Sequence, residues 1–181
     1  MRASPEPETG WRLWRGVRDD LFRTHPQSPL PPEDRAAFAG VEYYPYDVAL
    51  RVLADVAPTR SESLRMVGSA GSAVHFTRFG VAQFELGGDL RTLELYWLEG
   101  YGGGVFLPFN DETTGHETYG GGRYLLDTVK GADLGMERGR LVLDFNFAYN
   151  PSCSYDVRWA CPLPPAANTL DLPVRAGERT L

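Results

Sequence analysis

Between about Val41 and Asn150 the chain alternates apolar and polar residues with a period of two, and glycine interrupts that alternation every few residues. The segments VEYYPYD, LRVLADV, LRMVGS, AVHFTRF, VAQFEL, LRTLELYWL, GVFLPF, GRYLLDTV and RLVLDFNFAYN carry the pattern. Gly71-Ser72, Gly80, Gly87-Gly88-Asp89 and the run Glu99 to Gly104 separate several of them. Short strands with a turn signal every 8–12 residues or so point to an antiparallel sandwich or barrel. Connections this short leave no room for parallel crossovers, which need a dozen or more residues. The expected fold is therefore mainly β: an antiparallel bent sheet or closed barrel, with one or two short N-terminal helices. A last strand, LDLPVRAG (170–177), is expected to close the sheet.

The N-terminal part reads differently. Residues 1–8 are polar and proline-containing and are expected to be flexible. Thr9 is a candidate N-cap for WRLWRGVRDDLF, in which Trp11, Trp14, Val17 (or Arg18) and Leu21 recur at helical spacing. His25-Pro26 ends that helix, because the residue before proline avoids the helical region. Pro32 can start a second short helix, EDRAAF. At 181 residues one domain is expected, covering 9–181, with 9–40 as a helical segment packed on the sheet.

Charge narrows the partners. A net charge of −6 and pI near 5.1 argue against nucleic acid, which recruits a basic face. No run of 18 apolar residues is present, so no membrane partner is expected. The N-terminus lacks the apolar core of a signal peptide, which predicts a cytoplasmic location and two reduced thiols rather than a disulfide.

The densest chemistry lies from Asp144 to Pro165, DFNFAYNPSCSYDVRWACPLPP, which holds both cysteines, Cys153 and Cys161. If the strand runs through to Asn150, then Leu141, Leu143, Phe145, Phe147 and Tyr149 share the core face. Val142, Asp144, Asn146, Ala148 and Asn150 then share the other, either solvent-facing or lining a cavity. Asp111, Glu117, Tyr119, Arg123, Asp144 and Asn146 form a candidate polar cluster, with Arg123 as a fork-shaped donor for a carboxylate or phosphate. The alternative is a structural ion pair between Arg123 and one carboxylate. Cysteines eight apart match neither a zinc nor a redox C-x-x-C signature. The thiols read as structural, as a disulfide, or as a nucleophile. His25, His75 and His116 show no paired motif, and no phosphate-binding or nucleophile-elbow motif occurs. No metal or cofactor is therefore expected. Tyr43, Tyr44, Tyr46, Tyr96, Trp97, Tyr101 and Phe106 are read as core, with a pocket lining as the alternative.

Several ordered motifs carry a resemblance. FNDETTGHETYGGGRYL (Phe109–Leu125), DFNFAYNPSC (Asp144–Cys153), CPLPPAANTL (Cys161–Leu170) and Ala176-Gly177-Glu178 resemble a prokaryotic family catalogued as domain of unknown function sixteen-eighty-four. The two variable positions before its glycine–arginine pair are both glycine here. The resemblance is dense from about residue 105 to 179. It implies which residues form a unit, including Asn168, and implies no particular activity.

The leading expectation is a barrel that binds a small molecule, an anionic one being an option. Arg123, Tyr119, Asp144, Asn146 and Asn150 would form its site. The runner-up is a hydrolase-type or thiol-dependent enzyme in the same pocket, with Asp111, Glu117 and Cys153 as catalytic candidates. A partner-binding module is the third reading. Enzymatic activity and oligomeric state are left open.

Overall fold

The computed structural model describes residues 4, 6–68, 71, 73–98, 103–128 and 132–180. Tyr101, and much of the glycine-rich run that includes it, lie outside the described residues. The chain forms a seven-stranded antiparallel sheet curled into a half-barrel, with one N-terminal helix. The strands are β1 (Arg51–Val67), β2 (Ala73–Leu86), β3 (Asp89–Leu98), β4 (Val105–Phe109), β5 (Arg123–Asp127), β6 (Met136–Glu137) and β7 (Arg140–Asp144). Their order is β5-β4-β3-β2-β1-β7-β6. Of the two forms expected, the bent open sheet is the one adopted. The sheet keeps two edges, and an isolated bridge between Tyr124 and Tyr149 approaches closure.

Two glycine and proline signals mark bulges rather than turns. LRVLADV and LRMVGS belong to one strand, as do AVHFTRF and VAQFEL. The β1–β2 register shifts between Pro58 and Glu62, and the β2–β3 register between Arg78 and Gly80. Pro58 lacks an N–H for the ladder and lies opposite Gly80, a pairing suited to a bulge. Gly87-Gly88 does form the β2–β3 hairpin turn, with both residues at positive φ.

The helix, α1 (Pro7–Thr24), begins within the segment expected to be flexible, with Glu6 rather than Thr9 as its N-cap and Pro7 in its first turn. It stops at His25, as the following proline requires. Its buried face is Trp11, Trp14, Arg18 and Phe22, whereas Val17 and Leu21 are exposed. Arg18 takes the inner position because a buried carboxylate meets it there. EDRAAF forms turns, not a second helix.

The alternation expected through Asn150 ends at Asp144. Its carboxylate accepts the Asn146 N–H at 3.1 Å and starts a 3-10 turn over Phe145–Phe147. Leu141, Leu143 and Phe145 then enter the main core with Phe84, Leu93, Leu95, Leu107 and Phe109. Phe147 and Tyr149 enter a second cluster with Trp11, Trp14, Phe76, Tyr96 and both cysteines. Leu143, Phe145 and Phe147 are all buried, but not together. The second face, from Val142 to Asn150, is also buried rather than solvated.

LDLPVRAG is not a strand. Pro173 and Gly177 interrupt it, and the segment is held by isolated pairings: Asn110 with Thr169, and Tyr43 with Glu178. Leu170, Val174 and Ala176 nevertheless complete the main core. The fit is closest at Gly177, whose φ is +75°; a Cβ there would lie 2.3 Å from the Ala148 carbonyl oxygen. Gly177→Ala should therefore destabilise the protein by about 2 kcal/mol or more. Urea unfolding should show a lower midpoint at unchanged slope.

Candidate functional site

The sequence marks Arg123, and its surroundings define what that arginine does. Gly122 precedes it at φ +78°, where any Cβ would lie within about 2.5–2.8 Å of Asn110, Pro164 and the Phe109 carbonyl. That turn sends Arg123 inward from the start of β5. Its side chain is fully buried. One terminal nitrogen donates to Asp111 at 3.3 Å and to the Val174 carbonyl at 2.8 Å. The other donates to the Ala176 carbonyl and, at 3.3 Å, to the Glu178 carbonyl. The guanidinium also lies 5.2 Å from the Phe109 ring centroid. Burial opposes its charge and Asp111 offsets that cost.

Asp111 is equally occupied. It accepts from the hydroxyls of Thr113 and Thr114, from Arg123, and from the Val174 N–H at 2.6 Å. A carboxylate with its lone pairs so engaged is poorly placed to act as a general base.

The other expected members stand in separate groups. Glu117 meets Arg175 bidentately, at 2.7–3.1 Å, and accepts the Tyr44 hydroxyl at 2.9 Å. Those donors pull its carboxyl down to about 2, so it stays ionised at neutral pH. Asp144 accepts from Asn146 and from the Tyr46 hydroxyl at 3.2 Å; burial, opposed by these donors, holds its pKa above the usual range. The Asn146 amide exchanges two hydrogen bonds with the Asp47 main chain, and its carbonyl accepts the Trp11 indole N–H at 2.7 Å. Asn150 donates its N–H to Glu178 at 2.6 Å and its side-chain amide to the Arg179 carbonyl. Tyr119 lies 3.6 Å from the Cys153 sulfur. Arg123 thus joins Asp111, as one of the two readings anticipated, and not Glu117, Asp144 or Asn146.

Glu178, marked in the sequence only by the Ala176-Gly177-Glu178 motif, is a hub. One oxygen takes Arg18 at 2.6–2.7 Å and Tyr43 at 3.1 Å; the other takes Tyr155 at 2.9 Å and the Asn150 N–H. The residue is completely buried. Asn168 does comparable work between β3 and β4. Its amide oxygen accepts the Glu94 N–H, and its nitrogen donates to the Glu94 and Pro108 carbonyls, at 2.8–3.0 Å. Only the motif containing Asn168 pointed to it.

The open space lies elsewhere. An open hollow of about 450 Å³ is lined by Thr77, Phe79, Trp97 and Val105. Thr77, Trp97 and Val105 are cross-strand neighbours in one row over β2, β3 and β4. By alternation they share a face with the core residues Leu95 and Leu107, and Phe79 and Val105 pack against the edge of that core. The C-terminal segment completes the core at Leu170, Val174 and Ala176. Farther along the same face Leu95 is buried, whereas Trp97, two residues on, is 47% exposed. Gly103 lies close against the indole, where an added Cβ would sit 3.3 Å from its ring. Along this face Ser63 pairs with Thr77, and Arg65 pairs with His75; Ser63, Arg65 and His75 are exposed.

Among the described residues no three His, Cys, Asp or Glu side chains converge as a metal site, and no helix is long and apolar enough to cross a membrane. The family model described as "Protein of unknown function (DUF1684)" matches residues 36–179. This chain belongs to that family. No curated protein matches it. Among solved structures it is similar to an uncharacterised protein of Haloarcula marismortui studied by solution NMR. The two share 36% identity over 96% of this chain and 94% of the other, with a TM-score of 0.69.

Two outcomes follow from the buried and exposed carboxylates. Asp111→Asn should cost about 3–5 kcal/mol, because it leaves the Arg123 charge buried without its counter-ion. Adding Arg123→Met should cost much less than the sum of the single changes, measured as a double-mutant cycle by chemical denaturation. Glu117 behaves oppositely to a neutral surface group in acid. Its folded pKa lies below the ordinary 4.5, so its stabilisation is complete above that pH and fades as pH falls toward 2. The stability gap between the native protein and Glu117→Gln should close across that window, and solvent screening keeps the gap modest.

Proposed function

We propose that the protein is a small-molecule-binding module whose ligand has an apolar body and an acidic group, and that the body rests on Trp97. The observation that carries this reading is the hollow itself. It is an apolar concavity at the edge of the core and leaves a tryptophan half-exposed on its wall. Ligand sites combine a concave apolar surface with a few polar groups that fix orientation.

Charge supplies the second half of the argument. His75 is two residues from Thr77 on the same strand face, roughly 7 Å away, and Arg65 lies directly across from His75. A ligand lying on the indole can therefore extend its acidic end toward the Arg65 guanidinium, with His75 and Ser63 as further hydrogen-bonding groups. In this reading Arg123, Asp111, Asp144, Asn146 and Asn150 belong to the frame rather than to the ligand. Most of their donors and acceptors are directed at other parts of the chain; Arg123 Nε and Asn150 Oδ1 are the exceptions. The catalytic alternative loses support on the same ground, since Asp111 and Glu117 are held by donors on the protein.

Anilinonaphthalene sulfonate, an aromatic body with one sulfonate, tests both halves. The native protein should bind it at one site, with fluorescence enhancement. Trp97→Ala should weaken that binding roughly tenfold or more, about 1.4 kcal/mol or greater. Arg65→Glu should weaken it about three- to tenfold at low salt and much less at high salt. Equal binding by the native protein and Trp97→Ala would reject the site.

A further inference from the structure

We infer that Cys153 and Cys161 form a dithiol that peroxides convert to an intramolecular disulfide, making this buried corner of the second core a site of reversible oxidation. The inference stands apart from the ligand hollow and uses none of its residues.

Both cysteines belong to the second core cluster, Cys153 in the 3-10 turn Ser152–Ser154 and Cys161 at the start of the proline-rich return. The Cys153 N–H donates to the Cys161 sulfur at 3.3 Å. That contact brings the Cys161 sulfur to the main chain of Cys153 itself. Adding the N–Cα bond and the span of the second side chain, the two Cα atoms can be no more than roughly 7–8 Å apart. Disulfides need about 4.4–6.8 Å, so a small closure of the seven-residue loop 154–160 suffices. Between the cysteines, Ser154, Asp156 and Arg158 bond locally or to the connector after α1, Tyr155 donates to Glu178, and Trp159 donates to the Pro29 carbonyl. None of these bonds is a strand pairing, so a small closure at the two cysteines leaves the sheet intact.

Chemistry and access agree with this. Each cysteine is 8% exposed, enough for a molecule the size of hydrogen peroxide but not for a protein partner. The Cys153 N–H holds the Cys161 sulfur beside the residue it is to join. Tyr119, its hydroxyl pushed up to about 12 chiefly by burial and then by Cys153, remains protonated at neutral pH beside the other sulfur.

The reaction balances with peroxide as the oxidant. The Cys161 thiolate attacks one peroxide oxygen; an S–O bond forms, the O–O bond breaks, and the departing oxygen leaves as water after taking up protons. The Cys153 sulfur then attacks the sulfenic sulfur. The S–S bond forms, the S–O bond breaks, and the released hydroxide takes the Cys153 proton as a second water. Two thiols lose two electrons in all, and one hydrogen peroxide becomes two waters. A thiol reductant reverses the change.

The test is intact-mass measurement of the full chain after brief treatment with stoichiometric hydrogen peroxide, followed by alkylation in denaturant. Loss of 2 mass units, no alkylatable thiol, and return of both thiols after dithiothreitol are expected. Cys153→Ser should instead accumulate a sulfenic acid that dimedone traps on Cys161. Two alkylatable thiols after treatment, oxygen addition to both sulfurs, or a disulfide between two chains would each overturn the inference. The native chain alone gives this answer, so a variant that fails to fold does not remove the test.

Discussion

A segment without regular structure completes the core of this protein, and two buried arginines hold it there. Arg123 and Arg18 approach residues 174–178 from β5 and from α1. Arg123 spends most of its donors on carbonyls that a strand would have satisfied by a ladder. Arg18 spends its fork on the carboxylate of Glu178. Buried ions are expensive, and a well-packed apolar substitute often serves stability as well or better. Here the charges do something an apolar side chain cannot: they satisfy polar main chain within the core, which would otherwise carry a penalty of its own.

That arrangement explains which features were legible in the sequence. Period-two alternation identified the strand regions because it reports which residues face the core, and that holds whatever the strand's length. It could not report that Gly80 bends a strand instead of ending it, since glycine serves both purposes. Asp144 is a sharper case. Its neighbours continue the alternation perfectly, yet the local hydrogen bond that the Asn146 N–H donates to Asp144 outcompetes the ladder and turns Phe147 toward α1. Short polar side chains carry this competing geometry, and hydrophobic periodicity does not register it.

The polar cluster shows the same division. The pairing of Arg123 with Asp111 was legible, because twelve residues and a glycine turn bring them together. The joining of Glu178 to Arg18 was not, because 160 residues separate them and neither lies in a pattern that names the other. Arg18 even looks like an ordinary polar residue of an amphipathic helix, with Val17 as the apparent core position. The buried partner reverses that choice.

Trp97 was hidden for the complementary reason. In LRTLELYWL it looks like one more core aromatic, and its face is indeed the core face. Alternation names the face but not how far the cover over it reaches: Leu170, Val174 and Ala176 complete the core, and Trp97 is left half-exposed. The frame residues and the hollow differ in what they ask of the sequence: the frame pairs most of its buried donors and acceptors, whereas the hollow has Trp97 on its wall and, beside the indole, Gly103, which carries no side chain. The conspicuous polar motifs of the C-terminal half therefore report how the core is closed, while the hollow is lined by residues of β2, β3 and β4 that carry no motif.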